Sequence, residues 1–262
     1  MLTRLTLAVT FVAIGFSACA AQTDAVPPAV IPSLDYSIVR TYPHDPDAFT
    51  QGLLFHEGVL YESTGRNGFS SLRKVKLETG EVLQKVDVPE MYFAEGLALA
   101  GSRLIQLTWQ AQTGFLYDLA TFAKLGTFDY GGEGWGLTTD GARLIMSDGT
   151  PDLRFLDALT LKETGHITVT DAGAPVKDLN ELEMIDGAVF ANIWMTPRIV
   201  RIDPKTGAVT GHLDLDRIMP SPAPGKPIDV LNGIAWDPGS KRLFITGKLW
   251  PQIYELKVEG VN

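Results

Sequence analysis

Between residues 51 and 256 apolar and polar positions alternate in short runs, and the runs recur. Aligning Gln51-Gly52-Leu53, Glu95-Gly96-Leu97, Trp135-Gly136-Leu137, Asn180-Glu181-Leu182 and Asn232-Gly233-Ile234 places a brief apolar alternation, a turn and a second strand after each. The second strands read LYESTG (60–65), LIQLTW (104–109), LIMSDG (144–149), VFANIW (189–194) and LFITGK (243–248). Third strands follow, such as SLRKVKL (71–77), GFLYDL (114–119), LRFLDAL (153–159) and RIVRIDP (198–204). Turn signals such as Glu78-Thr79-Gly80 and Lys205-Thr206-Gly207 introduce a fourth strand, as in EVLQKVDV (81–88). Alternation of period two marks strands, and helical periodicity is absent.

A unit of about 45 residues repeated along a chain means a propeller or a solenoid. Solenoids of that period are mostly helical, whereas four-stranded units stack radially so that each covers its neighbour. The expectation is all-β: a five-bladed β-propeller of four-stranded antiparallel blades over residues 34–262. Tyr36-Ser37-Ile38-Val39-Arg40 precedes the first unit and is expected to pair with Ile253-Tyr254-Glu255-Leu256-Lys257, closing the ring through the N-terminal strand. Met219–Pro227 (MPSPAPGKP) is the one candidate break, and too little chain follows it for a second domain.

The head of the chain reads differently. Arg4 precedes an apolar run from Leu5 to Phe16, and small residues follow from Ser17 to Ala21. That is the pattern of a signal peptide over residues 1–20, its apolar run well short of the roughly 20 residues that span a bilayer. Phe16-Ser17-Ala18-Cys19 resembles a bacterial lipobox with Phe in place of the usual Leu. A signal ending at Ala18, with lipid on Cys19, therefore stands beside ordinary cleavage. Residues 21–33, rich in Pro and Ala, read as a flexible tether. The expected location is exported, either periplasmic or as a membrane-anchored lipoprotein, with membrane contact only through a lipid on Cys19.

Composition narrows the chemistry. The chain is 45% hydrophobic and 20% charged, enough apolar material for a sizeable core, with a formal charge of −9. That charge, without a basic cluster, excludes a nucleic-acid partner. Cys19 is the sole cysteine, so the folded domain has no disulfide, no thiol nucleophile and no cysteine metal site. His44, His56, His166 and His212 are dispersed and expected at the surface or in turns. No HExxH or GxSxG occurs, and Gly131–Gly136 lacks dinucleotide-binding spacing.

Propeller geometry brings the first strand of every blade to one axis. Gln51, Glu95, Trp135, Asn180 and Asn232 should converge there, with Glu62, Trp109, Asp148, Trp194 and Lys248 from the second strands. Polar residues in a wet channel need only bind water. However, Trp109, Trp135 and Trp194 are three of five tryptophans, and they recur at equivalent turns of three consecutive blades. Grouped around one carboxylate they make a small apolar pocket with a polar floor. Such a pocket raises the pKa of Glu95 toward the range of a general acid/base.

These residues resemble the plant and bacterial glutaminyl-peptide cyclotransferases, the papaya-latex-like glutamine cyclotransferases. The resemblance covers residues 33 to 256 and rests on PHDPDAFTQGL (43–53), YESTG (61–65), EGL (95–97), QLTW (106–109), GWGLTTDG (134–141), MSDG (146–149), LNELE (179–183), ANIW (191–194), LNGIAWD (231–237) and TGKLWP (246–251). It implies conversion of N-terminal glutaminyl peptides or proteins to pyroglutamyl products with loss of ammonia. The site residues it implies are Glu95 as the catalytic proton carrier, with Phe49, Gln51, Trp109, Trp135, Asn180, Trp194 and Lys248 binding substrate. Lys248 would either stabilise an oxyanion or pair with Glu95. No metal or other cofactor is required, although a structural calcium on the channel axis is compatible with this reading. A closed ring has no free sheet edge, so a monomer is expected. Two rivals stand beside it: a metal-dependent lactonase-type propeller hydrolase recruiting Glu181, Asn192, Asn232 and Asp148, and a non-catalytic propeller that holds peptide N-termini.

Overall fold

A computed structural model describes residues 31–261, and among them every regular element except isolated turns is a strand. Strand β1 is Tyr36–Pro43. Blade one contains β2 (Thr50–His56), β3 (Val59–Thr64), β4 (Ser71–Lys76) and β5 (Val82–Asp87). Blade two contains β6 (Ala94–Ala100), β7 (Arg103–Thr108), β8 (Thr113–Asp118) and β9 (Lys124–Asp129). Blade three contains β10 (Leu137–Thr139), β11 (Arg143–Met146), β12 (Asp152–Asp157) and β13 (Glu163–Thr168). A small hairpin, β14 (Thr170–Asp171) with β15 (Ala174–Pro175), precedes blade four. Blade four contains β16 (Leu179–Ile185), β17 (Ala188–Ile193), β18 (Arg198–Ile202) and β19 (Val209–Asp214). Blade five contains β20 (Leu231–Asp237), β21 (Arg242–Gly247) and β22 (Gln252–Val258), with β1 as its outer strand.

The molecule is therefore a five-bladed β-propeller of four-stranded antiparallel sheets. Strand β1 closes the ring as the sequence predicts, with Ile38 opposite Leu256 and Tyr42 opposite Ile253, and it runs three residues longer than expected. The hairpin of β14 and β15 is an addition that the repeat did not announce. Alternation decides which strands face inward. The innermost strands are buried almost throughout, and the outer strands β5, β9 and β13 expose every second residue. Apolar clusters fill the seams between neighbouring blades, such as Leu72, Leu97 and Phe115 between blades one and two. No helix of the described residues is long and apolar enough to cross a membrane.

The signal, Cys19 and most of the tether lie outside the described residues. Residues at the end of the expected tether dock on β19: the His212 amide donates to the Pro32 carbonyl at 2.9 Å and Leu34 donates to the His212 carbonyl at 2.7 Å.

The axis is crowded. The residue after each converging position is Gly52, Gly96, Gly136, Glu181 or Gly233. A Cβ on Gly136 would fall on the Asn180 carbonyl, so the strands approach only because the side chain is missing. Glu181 fills the space that the glycines leave, accepting from the amides of Leu53 at 3.2 Å and Ile234 at 2.8 Å. The channel thus has a plugged middle and two separate mouths.

Candidate functional site

At one mouth the first strands present Gln51, Glu95, Trp135 and Asn180 to a cavity of about 390 Å³. The second-strand ends contribute Trp109, Trp194 and Lys248. One hydrogen bond fixes this level in four blades. The amides of Gly65, Trp109, Trp194 and Lys248 donate to the carbonyls of Phe49, Phe93, Asp178 and Val230, each two residues before a converging position.

All eight residues singled out by the resemblance line this cavity, joined by Phe93, Met195 and Asp229, which the sequence reading missed. Phe93 stands two residues before Glu95, as Phe49 stands before Gln51, so the repeat register could have found it. Asn232 lies just behind the cavity instead of lining it.

The tryptophans do share one pocket, but not by equivalence. Trp109 and Trp194 end second strands, where blade five has Lys248. Trp135 stands at the position of Gln51 and Glu95, and its ring occupies the space over Gly149, where a Cβ would come within 2.7 Å of the indole. Glu62 and Asp148 do not reach the pocket. Glu62 is buried in blade one against Arg73, with Nη2 2.5 Å away, and accepts from Thr50 Oγ1 at 2.7 Å and faces His44 Nε2 at 3.0 Å. His44 is therefore a buried network residue and not a surface one. Asp148 caps Thr150 and lies 3.6 Å from Arg154. Alternation sends Glu62 to the other face of β3, and Asp148 lies in the turn beyond β11.

Aromatic rings wall the cavity in two groups. Phe49 meets Phe93 edge-on at 6.1 Å between ring centroids, Phe93 meets Trp109 at 5.8 Å, and Trp135 meets Trp194 at 5.6 Å. Glu133 joins the two halves. Its Oε2 accepts from the indole N–H of Trp109 at 2.7 Å and from that of Trp135 at 2.9 Å, and its Oε1 accepts from Gln110 at 2.9 Å.

Glu95 is buried on the floor. Burial pushes its carboxyl well above the usual range, Lys248 opposes this, and Glu133 adds to it. Its one side-chain partner among the described residues is Gln51, whose Nε2 donates to Oε1 at 3.0 Å. The orientation of that amide is set from behind, because Asn232 Nδ2 donates to Gln51 Oε1 at 3.3 Å and to the Thr50 carbonyl at 2.9 Å. Lys248 is buried too, which lowers its pKa, while Glu95 and Asp229 favour its charge. Its Nζ lies 5.0 Å from the Phe49 ring centroid, and among the described residues no direct ion pair joins it to Glu95. Asn180 lines the same floor, and its buried Oδ1 has no hydrogen-bond partner among the described residues. Ser147 fixes its backbone, donating to the Asn180 carbonyl at 2.6 Å.

The site therefore offers a desolvated carboxyl able to carry a proton, a nearby ammonium, an uncommitted amide and apolar walls. Of the residues available to a lactonase-type metal centre, Asp148 lies apart, and Glu181 and Asn192 on the axis are engaged by backbone amides. Asn192 accepts from the Gly233 amide at 3.1 Å, and both Glu181 oxygens already take backbone donors. An axial calcium would have to share Glu181 with those two N–H groups. Among the described residues no cluster of three His, Cys, Asp or Glu side chains is placed to share a metal.

Comparison with known proteins finds a family model described as glutamine cyclotransferase matching residues 8–258. A curated glutaminyl-peptide cyclotransferase from Arabidopsis thaliana is 47% identical over 234 residues, spanning 87% of this chain and 72% of that protein. The crystal structure of Myxococcus xanthus glutaminyl cyclase superposes with a TM-score of 0.81 at 40% identity, covering 87% of this chain and 98% of that one.

Proposed function

The chain belongs to the glutamine cyclotransferase family, and from that premise we propose that it closes the N-terminal glutamine of peptides into pyroglutamate, with Glu95 carrying the proton. It is a glutaminyl-peptide cyclotransferase that acts on peptide substrates. The observation that carries the mechanism is the buried Glu95, held by Gln51 on the floor of an aromatic-walled cavity.

The substrate's α-amine attacks its own γ-carboxamide carbon, forming the ring C–N bond. Because both partners belong to one residue, the work of the pocket is to hold the bent conformer and exclude extended ones. Phe49, Phe93, Trp109, Trp135 and Trp194 wall that conformer. Ionised Glu95 takes one proton from the attacking amine. It returns the proton to the amide nitrogen as the C–N bond to that nitrogen breaks, and ammonia leaves. A raised pKa suits both halves of this cycle, since the group must accept and then release within the working pH range.

Gln51 donates one amide N–H to Glu95 and so orients the carboxyl. Stabilising the substrate oxyanion falls to Asn180 and Lys248, joined by the second N–H of Gln51, each donor worth a few kcal/mol in the transition state. No metal takes part in these steps. The expected location is outside the cytoplasm, after removal of residues 1–20 or lipidation of Cys19, and the expected state is a monomer.

The test is ammonia release from a glutaminyl dipeptide amide, with and without chelator, while the product is followed for loss of its free N-terminus. Ammonia in step with blocked product, insensitive to chelator, is the expected result. Activity abolished by chelator and restored by a divalent cation would overturn the metal-free mechanism.

A further inference from the structure

The loop between β19 and β20, marked in the sequence by Met219–Pro227, is anchored across the mouth. Lys226 Nζ lies 2.5 and 2.6 Å from the two carboxylate oxygens of Asp47, on the segment leading to Phe49. Beneath the loop runs a second cavity of about 210 Å³, with Trp250 at its base and Pro197, Leu215, Met219 and Val230 in its walls. The Trp250 indole donates to the Asp229 carbonyl at 2.8 Å, which ties this base to the rim of the catalytic pocket.

Met195 lines both cavities. Its backbone is in the left-handed region, with φ of 63°, and its side chain is 66% exposed on the ridge between them. Met219 across the groove is 54% exposed. Large apolar side chains left open beside a pocket mark a contact surface, and methionine adapts its shape to what it meets.

We propose that this groove receives the side chain of the residue immediately after the substrate glutamine, and that it selects an apolar one. The inference rests on the cyclotransferase reading, because it requires the glutamine to be seated beside Glu95. A peptide whose first residue fills the catalytic pocket must continue over its rim. Met195 lines both cavities there, so a residue continuing over that rim meets the groove. Asp216 lines the groove and Asp229 stands between it and the pocket, so an acidic second residue would face two carboxylates.

The experiment compares kcat/KM for Gln-Leu-Ala, Gln-Ala-Ala and Gln-Asp-Ala peptides, with glutamine amide as a substrate too short to enter the groove. In the wild-type protein the Leu peptide should exceed the Ala peptide by about tenfold, as expected for several methylenes entering an apolar site, and the Asp peptide should be the poorest. Met219→Asp should erase the Leu preference, Met219→Leu should keep it, and all three proteins should turn over glutamine amide equally. Equal kcat/KM for the three peptides, with glutamine amide still turned over, overturns the groove alone. No turnover of any glutaminyl substrate overturns the reading on which it rests.

Discussion

Glu95 sits between two charges that pull its pKa in opposite directions. Burial is the largest influence and raises it, Lys248 lowers it, and Glu133 raises it further. The acid limb of kcat/KM reports ionisation of a group on the free enzyme, so each neighbour has a signed prediction. Glu133→Gln removes a negative charge, so Glu95 ionises more easily and the acid limb moves to lower pH. Lys248→Met removes a positive charge and moves it to higher pH. Glu133 also holds the indoles of Trp109 and Trp135 through one oxygen. A glutamine there has only one accepting oxygen and a donating amide, so at least one hydrogen bond weakens, costing about 1 kcal/mol and raising KM about fivefold. Shifts in the same direction for both variants, or none, would contradict this electrostatic account.

At the scale of the element, the strand ends determine what reaches the pocket. The inner-strand positions were legible because period-two alternation and the repeat register leave little freedom: Gln51, Glu95, Trp135 and Asn180 all face the cavity. The same register held Phe93, whose counterpart Phe49 could have pointed to it, and Glu133, which carries no signal of its own at that level. Met195 lies in a turn and Asp229 in the irregular loop before β20, and nothing local in their sequence points inward. Glu62 shows the opposite error. Its strand was correctly placed, yet its side chain serves a buried ion network with Arg73, and Arg73 Nη1 also lies 2.6 Å from Asp45. Removing one member of a buried ion network leaves the other charge uncompensated. Glu62→Ala should therefore cost about 3–5 kcal/mol in urea unfolding, with Gln51 and Glu95 untouched. A loss below about 1 kcal/mol would mean that Arg73 finds water or another partner.

Across the whole molecule, buried carboxyls of opposite behaviour make stability depend on pH from both sides. Burial pushes the Glu183 carboxyl up to about 8, and Glu181 is also raised well above its usual value by burial and by Glu183. The folded protein then holds protons that the unfolded chain releases above its ordinary carboxylate pKa, about 4.3, so stability falls as pH rises from there through 8. Glu62 works the other way. Burial alone would raise its pKa, but Arg73 and His44 outweigh it and hold it far below the usual range, so its contribution is lost as pH falls below the unfolded value. The melting temperature should pass through a maximum in mildly acidic buffer, and Glu183→Gln should flatten its alkaline side. An alkaline slope unchanged in that variant would remove Glu183 from the account. The repeat that plugs the axis with Glu181 also places Glu95 at one of its mouths. The most direct test of the whole reading is therefore ammonia release from one glutaminyl peptide by the wild-type protein and by Glu95→Gln, with folding of both checked by thermal melting. The account predicts a fall in kcat of at least about a hundredfold for the loss of a general acid/base, with the fold intact; a folded Glu95→Gln protein that turns over at near wild-type rate would contradict it.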